Sequence, residues 1–179
     1  MSGSKRDDLV KGKAFGKRRL AVVDGSVCFD AGRQFRISHE FTSTPFVIRF
    51  RATQWFSLRK QSLTVDEGGV RFRAYRMDEG TAGGNFDTPI RIVQSNVRVG
   101  ELPTGIIEIA RGGTFTPNES AIPTETIRVR AAGATAQRTT VGATKTDRRD
   151  LPEGDYYLVF DTLGTSASGV YDLEFSLLD

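Results

Sequence analysis

Residues 46–76, FVIRFRATQWFSLRKQSLTVDEGGVRFRAYR, decide the fold. Phe46, Ile48 and Phe50 alternate with Val47, Arg49 and Arg51. After the turn signal Asp66-Glu67-Gly68-Gly69, Val70, Phe72 and Ala74 alternate with Arg71, Arg73 and Tyr75. A period of two sends successive side chains to opposite faces of a strand, so each run has one buried and one polar face. Between the two runs, Phe56 and Leu58 stand on even positions but Leu63 and Val65 on odd ones. A one-residue slip would turn half of these side chains to the wrong face, and a β-bulge or strand break near 59–62 reconciles the halves. The block therefore predicts three strands in succession.

The same alternation extends outward. Phe35, Ile37, His39 and Phe41 share one face of 34–41, and 90–96, 105–110 and 125–131 read as further strands, the last with Ile127 and Val129 inward. Residues 155–163 and 170–178 read as a closing hairpin around the small residues 164–169, with Tyr171, Leu173, Phe175 and Leu177 on one face. Two short apolar runs in 20–29 flank Asp24-Gly25, a hairpin-type turn. The glycine-rich 78–88, the Gly/Pro-bearing 111–123 and the polar, threonine-rich 132–151 read as loops. The last carries Lys145, Arg148 and Arg149 and is long for a compact domain, which marks it as a contact element. No helical period appears. About nine short strands predict an all-β fold, an antiparallel β-sandwich of jelly-roll-like form. It would occupy 20–179 as one domain, behind an extended basic N-terminal arm, 1–19.

The bulk numbers agree. With 38% hydrophobic and 26% charged residues in 179, the chain is globular and long enough for its own core. The net charge of +3 is unevenly spread. Residues 1–20 hold seven basic and two acidic residues, a balance of +5, which leaves −2 on the body. The arm is either a solvated terminus or a segment that orders on a neighbouring subunit through Lys11, Lys13, Lys17, Arg18 and Arg19. Direct nucleic-acid binding is disfavoured, because no aromatic residues are interleaved as stacking platforms. The lone cysteine, Cys28, excludes an intrachain disulfide and sits in an apolar run as a small buried side chain. No run approaches the roughly 20 apolar residues of a membrane helix, and the start lacks a signal-peptide core. The expectation is synthesis in a cytoplasm and no membrane partner.

No catalytic constellation emerges, and the chain is expected not to be an enzyme and to need no cofactor or metal. His39, the only histidine, lies in phase with core residues and reads as a packed, hydrogen-bonded histidine rather than a base. Residues 80–84, GTAGG, and 142–146, GATKT, lack the spacing of a phosphate loop. Asp78, Glu79 and Asp87 share a loop without an EF-hand pattern. Trp55 reads either as core or rim packing or as an exposed aromatic that stacks on a sugar. Arg49, Arg51, Arg71 and Arg73 stand out. Arginine favours interfaces and planar multidentate contacts, so this face is either protein-facing, solvated or, least favoured, nucleic-acid-facing.

Several motifs resemble a family of small structural proteins in the virions of tailed bacteriophages. These are the G-x-x-F…EF entry at 32–41, the acid- and glycine-rich turn before an alternating strand at 66–75, the glycine-rich loop at 79–86, and the Leu-Pro-x-Gly opening at 151–154. The resemblance runs from Gly32 to the C-terminus and leaves the arm unmatched. It implies a β-sandwich carried in many copies on the virion head as a capsid decoration or cement protein. Its partners would be the major capsid protein and other copies of itself, and no catalytic residues carry over. Tail or fibre attachment is one alternative. A carbohydrate-binding module, with Trp55, Tyr75 or Tyr156 as the stacking platform, is another.

Overall fold

The computed structural model describes residues 32–95, 105–131, 141–145 and 149–178, with 141–145 as backbone only. The arm with Lys11, Lys13, Lys17, Arg18 and Arg19, the Asp24-Gly25 turn, Cys28 and Arg148 lie outside the described residues.

The described residues form fourteen strands and one 3-10 turn. In chain order they are β1 (Gln34–Phe41), β2 (Phe46–Ala52), β3 (Phe56–Glu67), β4 (Gly69–Arg76), the turn Met77–Glu79, β5 (Gly80–Gly83), β6 (Thr88–Pro89), β7 (Val93–Gln94), β8 (Ile107–Arg111), β9 (Thr114–Pro117), β10 (Glu125–Arg130), β11 (Val141–Lys145), β12 (Arg149–Leu151), β13 (Gly154–Thr162) and β14 (Ser168–Leu177). The first sheet has the order β11-β3-β14-β1-β7, with β12 also on β3. The second has the order β10-β4-β13-β2-β8-β6, and β5 and β9 form a separate two-stranded ribbon. Every pairing is antiparallel. The fold is an all-β antiparallel sandwich, as the alternation predicts.

The pairing is nested. Strands β1, β2, β3 and β4 pair in turn with β14, β13, β11 and β10. The chain goes out through four strands and returns beside them in reverse order, like one long ribbon folded into two sheets. Connections therefore cross between sheets. The turn at Gly68 is one such crossing, with φ at +74° and a Cβ position only 2.4 Å from the Ser166 carbonyl oxygen, so any other side chain would collide with backbone there.

The nesting corrects the closing hairpin. β13 and β14 do not pair with each other: β13 lies between β2 and β4, and β14 between β1 and β3. Adjacency in sequence and alternating patterns suit a hairpin and a sheet-to-sheet crossing equally well. Three further expectations change. Among the described residues of the strand expected over 90–96, Val93–Gln94 pairs with β1, while Thr88–Pro89 just before it pairs with β8. The loops expected at 78–88 and 111–123 pair with each other as the β5–β9 ribbon. The loop expected at 132–151 contributes β11 and β12 to the edge of β3. Glycine and threonine segments carry no apolar alternation, so their pairing leaves no signal in the sequence.

The core fills the space between the sheets. Phe46 stacks on Phe160 at 4.3 Å between ring centroids, and Phe72 stacks on Tyr171 across the sheets at 5.5 Å. Phe50 of β2 meets Phe56 of β3 and Phe175 of β14. Such pairs add about 0.5–1.5 kcal/mol each beyond the apolar area they bury. The predicted bulge is present. Lys60 opposes Glu174 and Leu58 opposes Phe175, so Arg59 is the extra residue in the register with β14, and the inward phase moves from Phe56 and Leu58 to Gln61, Leu63 and Val65.

Candidate interaction surfaces

The four arginines of the central block lie on the outer face of the second sheet, as their phase requires. The register supplies them with carboxylates. Arg51 is opposite Asp155, and Asp161 is opposite Arg71. Arg51 donates from Nε to Asp155 Oδ1 at 2.8 Å and from Nη2 to Oδ2 at 3.0 Å. That contact is the main reason its pKa lies above the ordinary value. Asp161 Oδ2 accepts from Arg73 Nη2 at 2.6 Å and from Arg71 Nε at 3.2 Å. Arg49 lies over the Phe86 ring at 5.2 Å, with Glu108 3.9 Å from its Nη2. Arg51 thus makes a bidentate contact within the chain, Arg71 and Arg73 share one oxygen of Asp161, and the Nε atoms of Arg49 and Arg73 are buried with no hydrogen-bond partner among the described residues.

The β5–β9 ribbon explains why this face is half-buried. Phe115 of β9 stacks on Tyr157 at 4.5 Å and leans on Tyr75 at 5.5 Å. With Val47 and Val159 these rings make a second, smaller core outside the sheet, against which Phe86 packs. Burial raises the Tyr157 pKa, helped by the Asp155 charge. Gly113, at φ +51°, lets the chain turn into the ribbon where a Cβ would stand 2.6 Å from the Phe86 ring.

The second surface is one end of the sandwich. β2 ends at Ala52 opposite Gly154, β4 ends at Arg76 opposite Tyr156, β10 begins at Glu125 opposite Ala74, and β3 begins at Phe56 opposite Leu177. The segments 53–55, 77–79, 121–124 and 152–153 emerge together there. Among the described residues, the exposed large hydrophobic side chains are Trp55, Met77 and Ile122, at 52%, 60% and 79% exposure. All three belong to this end. Trp55 is anchored by its backbone, whose carbonyl accepts from the Leu178 amide at 3.0 Å, while Gln54 Nε2 donates to the Leu178 carbonyl at 3.2 Å. Thr124 holds the other side, donating from its amide and its hydroxyl to the Ala74 carbonyl. Of the three proposed stacking aromatics, Trp55 is exposed, whereas Tyr75 and Tyr156 are buried. Tyr156 instead donates its hydroxyl to the Pro152 carbonyl at 2.8 Å. Met77 and Ile122 were missed, because an isolated apolar residue in a loop carries no periodic signal.

His39 packs edge-on against Phe46 at 5.7 Å, and its Nε2 is buried with no hydrogen-bond partner. The packing expectation is met and the hydrogen bond is not. Burial, and then the charge of Arg111, lower its pKa. In the 78–87 segment, Glu79 Oε2 accepts from the Arg76 amide at 2.6 Å and Asp78 lies 3.7 Å from Arg76 Nε. Among the described residues no group of three His, Cys, Asp or Glu side chains is placed to hold a metal, and no helix is long and apolar enough to cross a membrane.

No protein-family model, curated protein or solved structure matches this chain.

Proposed function

We propose that this chain is a virion structural protein of the capsid decoration or cement type, which docks on the major capsid protein through the Trp55–Met77–Ile122 end of its sandwich. One observation carries the reading: the exposed large apolar side chains among the described residues gather at one end, while the arginines of the outer face already have carboxylate neighbours within the chain. Apolar and aromatic anchors supply most of the binding energy at protein interfaces, and a charged face already paired with its own carboxylates has less to give a partner. The nested pairing of β1–β4 with β14, β13, β11 and β10 supports a jelly-roll-like winding, and the motifs at 32–41, 66–75, 79–86 and 151–154 support the phage-virion family. The role needs contact area rather than catalysis. The basic arm, through Lys11, Lys13, Lys17, Arg18 and Arg19, adds a second, bridging contact to a neighbouring copy or capsomer, and several weak contacts together hold the protein on the shell. Quantifying the protein in purified virions tests the reading. On the order of hundreds of copies per particle are expected for head decoration, whereas about a dozen would indicate a tail or fibre-attachment component.

The exposure of Trp55 also favours a second reading, a carbohydrate-binding module that stacks a sugar ring on the indole. Saturable oligosaccharide binding lost in Trp55→Ala would select it over capsid docking.

A further inference from the structure

A narrow cleft opens at the sandwich edge where β3 and β12 of the first sheet face β4 and β10 of the second. Its walls are apolar, with Phe56, Leu58, Tyr156, Leu158 and Leu173 among them. Its free volume, the space open to a water molecule's centre, is about 40 Å³, so it admits only a molecule of a few heavy atoms. At the mouth, Arg149 of β12 forms an ion pair with Glu125 of β10 and donates from Nη1 to the Thr124 carbonyl at 3.2 Å, so a polar bridge spans the sheets above an apolar interior. Gln61 also lines the cleft. The bulge at Arg59 puts Gln61 in phase with Leu63 and Val65 and leaves it 6% exposed. Among the described residues its Nε2 has no hydrogen-bond partner. A buried donor left unpaired is costly, and an apolar side chain of similar size would fill the same place without that cost.

We propose that this cleft is a binding site for a small, mostly apolar molecule that carries one hydrogen-bond acceptor, a ketone, amide or alcohol oxygen. The apolar body lies among the aromatic and leucine walls and the acceptor takes the Gln61 Nε2 proton. The cleft adjoins the apolar end at Phe56, Thr124 and Glu125, but its proposed ligand does not depend on the capsid reading.

The test uses the full chain and two probes of one shape, cyclopentanone, which has the acceptor, and cyclopentane, which lacks it. Each is titrated into isotope-labelled protein while the backbone amides of β3, β4, β10 and β12 are followed by NMR. Both probes should shift these amides saturably. Gln61→Leu should then move the ratio of the two dissociation constants about tenfold toward cyclopentane, the share expected of one buried hydrogen bond. Gln61→Met, which keeps the chain length, should act in the same direction and serves if the leucine variant does not fold. Absence of saturable shifts with either probe would overturn the proposal, and so would an unchanged ratio in the variants.

Discussion

At the scale of single residues, two kinds of side chain answer differently from what their types suggest. The arginines at 49, 51, 71 and 73 stand on the outward phase the alternation predicts, yet cross-strand acids occupy them. Phase fixes the face, whereas the partners come from β13 and β8, whose register with β2 and β4 cannot be seen in a single chain. Replacing both Arg71 and Arg73 by lysine keeps the charge and removes the shared grip on Asp161. It should cost about 1 kcal/mol, measured by chemical denaturation, since lysine is a point charge without the planar fork. No loss of stability would mean that these pairs do not brace the sheet. His39 offers a pH handle. Burial and the Arg111 charge lower its pKa from the ordinary 6.5, so the native state refuses a proton that the unfolded chain accepts. Its contribution is present above about pH 6.5 and is lost as the pH falls below that. Because it is the only histidine, the denaturation midpoint of the wild type should fall more between pH 7 and 5.5 than that of His39→Gln. Parallel profiles would contradict the assignment.

At the scale of elements, the sequence was legible wherever one face is apolar. β1, β2, β4, β10 and β14 follow from alternation, and the bulge at Arg59 follows from the slip between Leu58 and Leu63. The β5–β9 ribbon was not legible, because GTAG and TFTP hold a single large apolar residue between them, Phe115. Yet that residue organises the outer core. Phe115→Ala should cost about 3 kcal/mol and uncover Tyr75 and Tyr157, visible as a loss of near-ultraviolet circular dichroism. A stable variant with an unchanged tyrosine signal would show that the ribbon merely rests on the sheet. The candidate docking end was legible only at Trp55. Met77 and Ile122 reach it through β4 and β10, and only the fold brings those strand ends together.

At the scale of the whole molecule, nesting shapes both the folding rate and the candidate docking end. Pairing β1 with β14 joins residues more than a hundred positions apart, such as Gln34 with Ser176. Non-local pairing of this kind predicts refolding in milliseconds to seconds rather than microseconds. The same nesting gathers four connecting segments at one end and leaves Trp55, Met77 and Ile122 exposed among the described residues. Whether that end docks on the capsid is tested most directly by co-sedimentation with undecorated capsids. Trp55→Ala combined with Ile122→Asp changes only exposed positions and should leave the fold intact. Its capsid affinity should fall about tenfold or more, while the Arg71→Lys, Arg73→Lys protein binds like the wild type. Undiminished binding by the Trp55/Ile122 variant, or binding lost only in the arginine variant, would contradict the account.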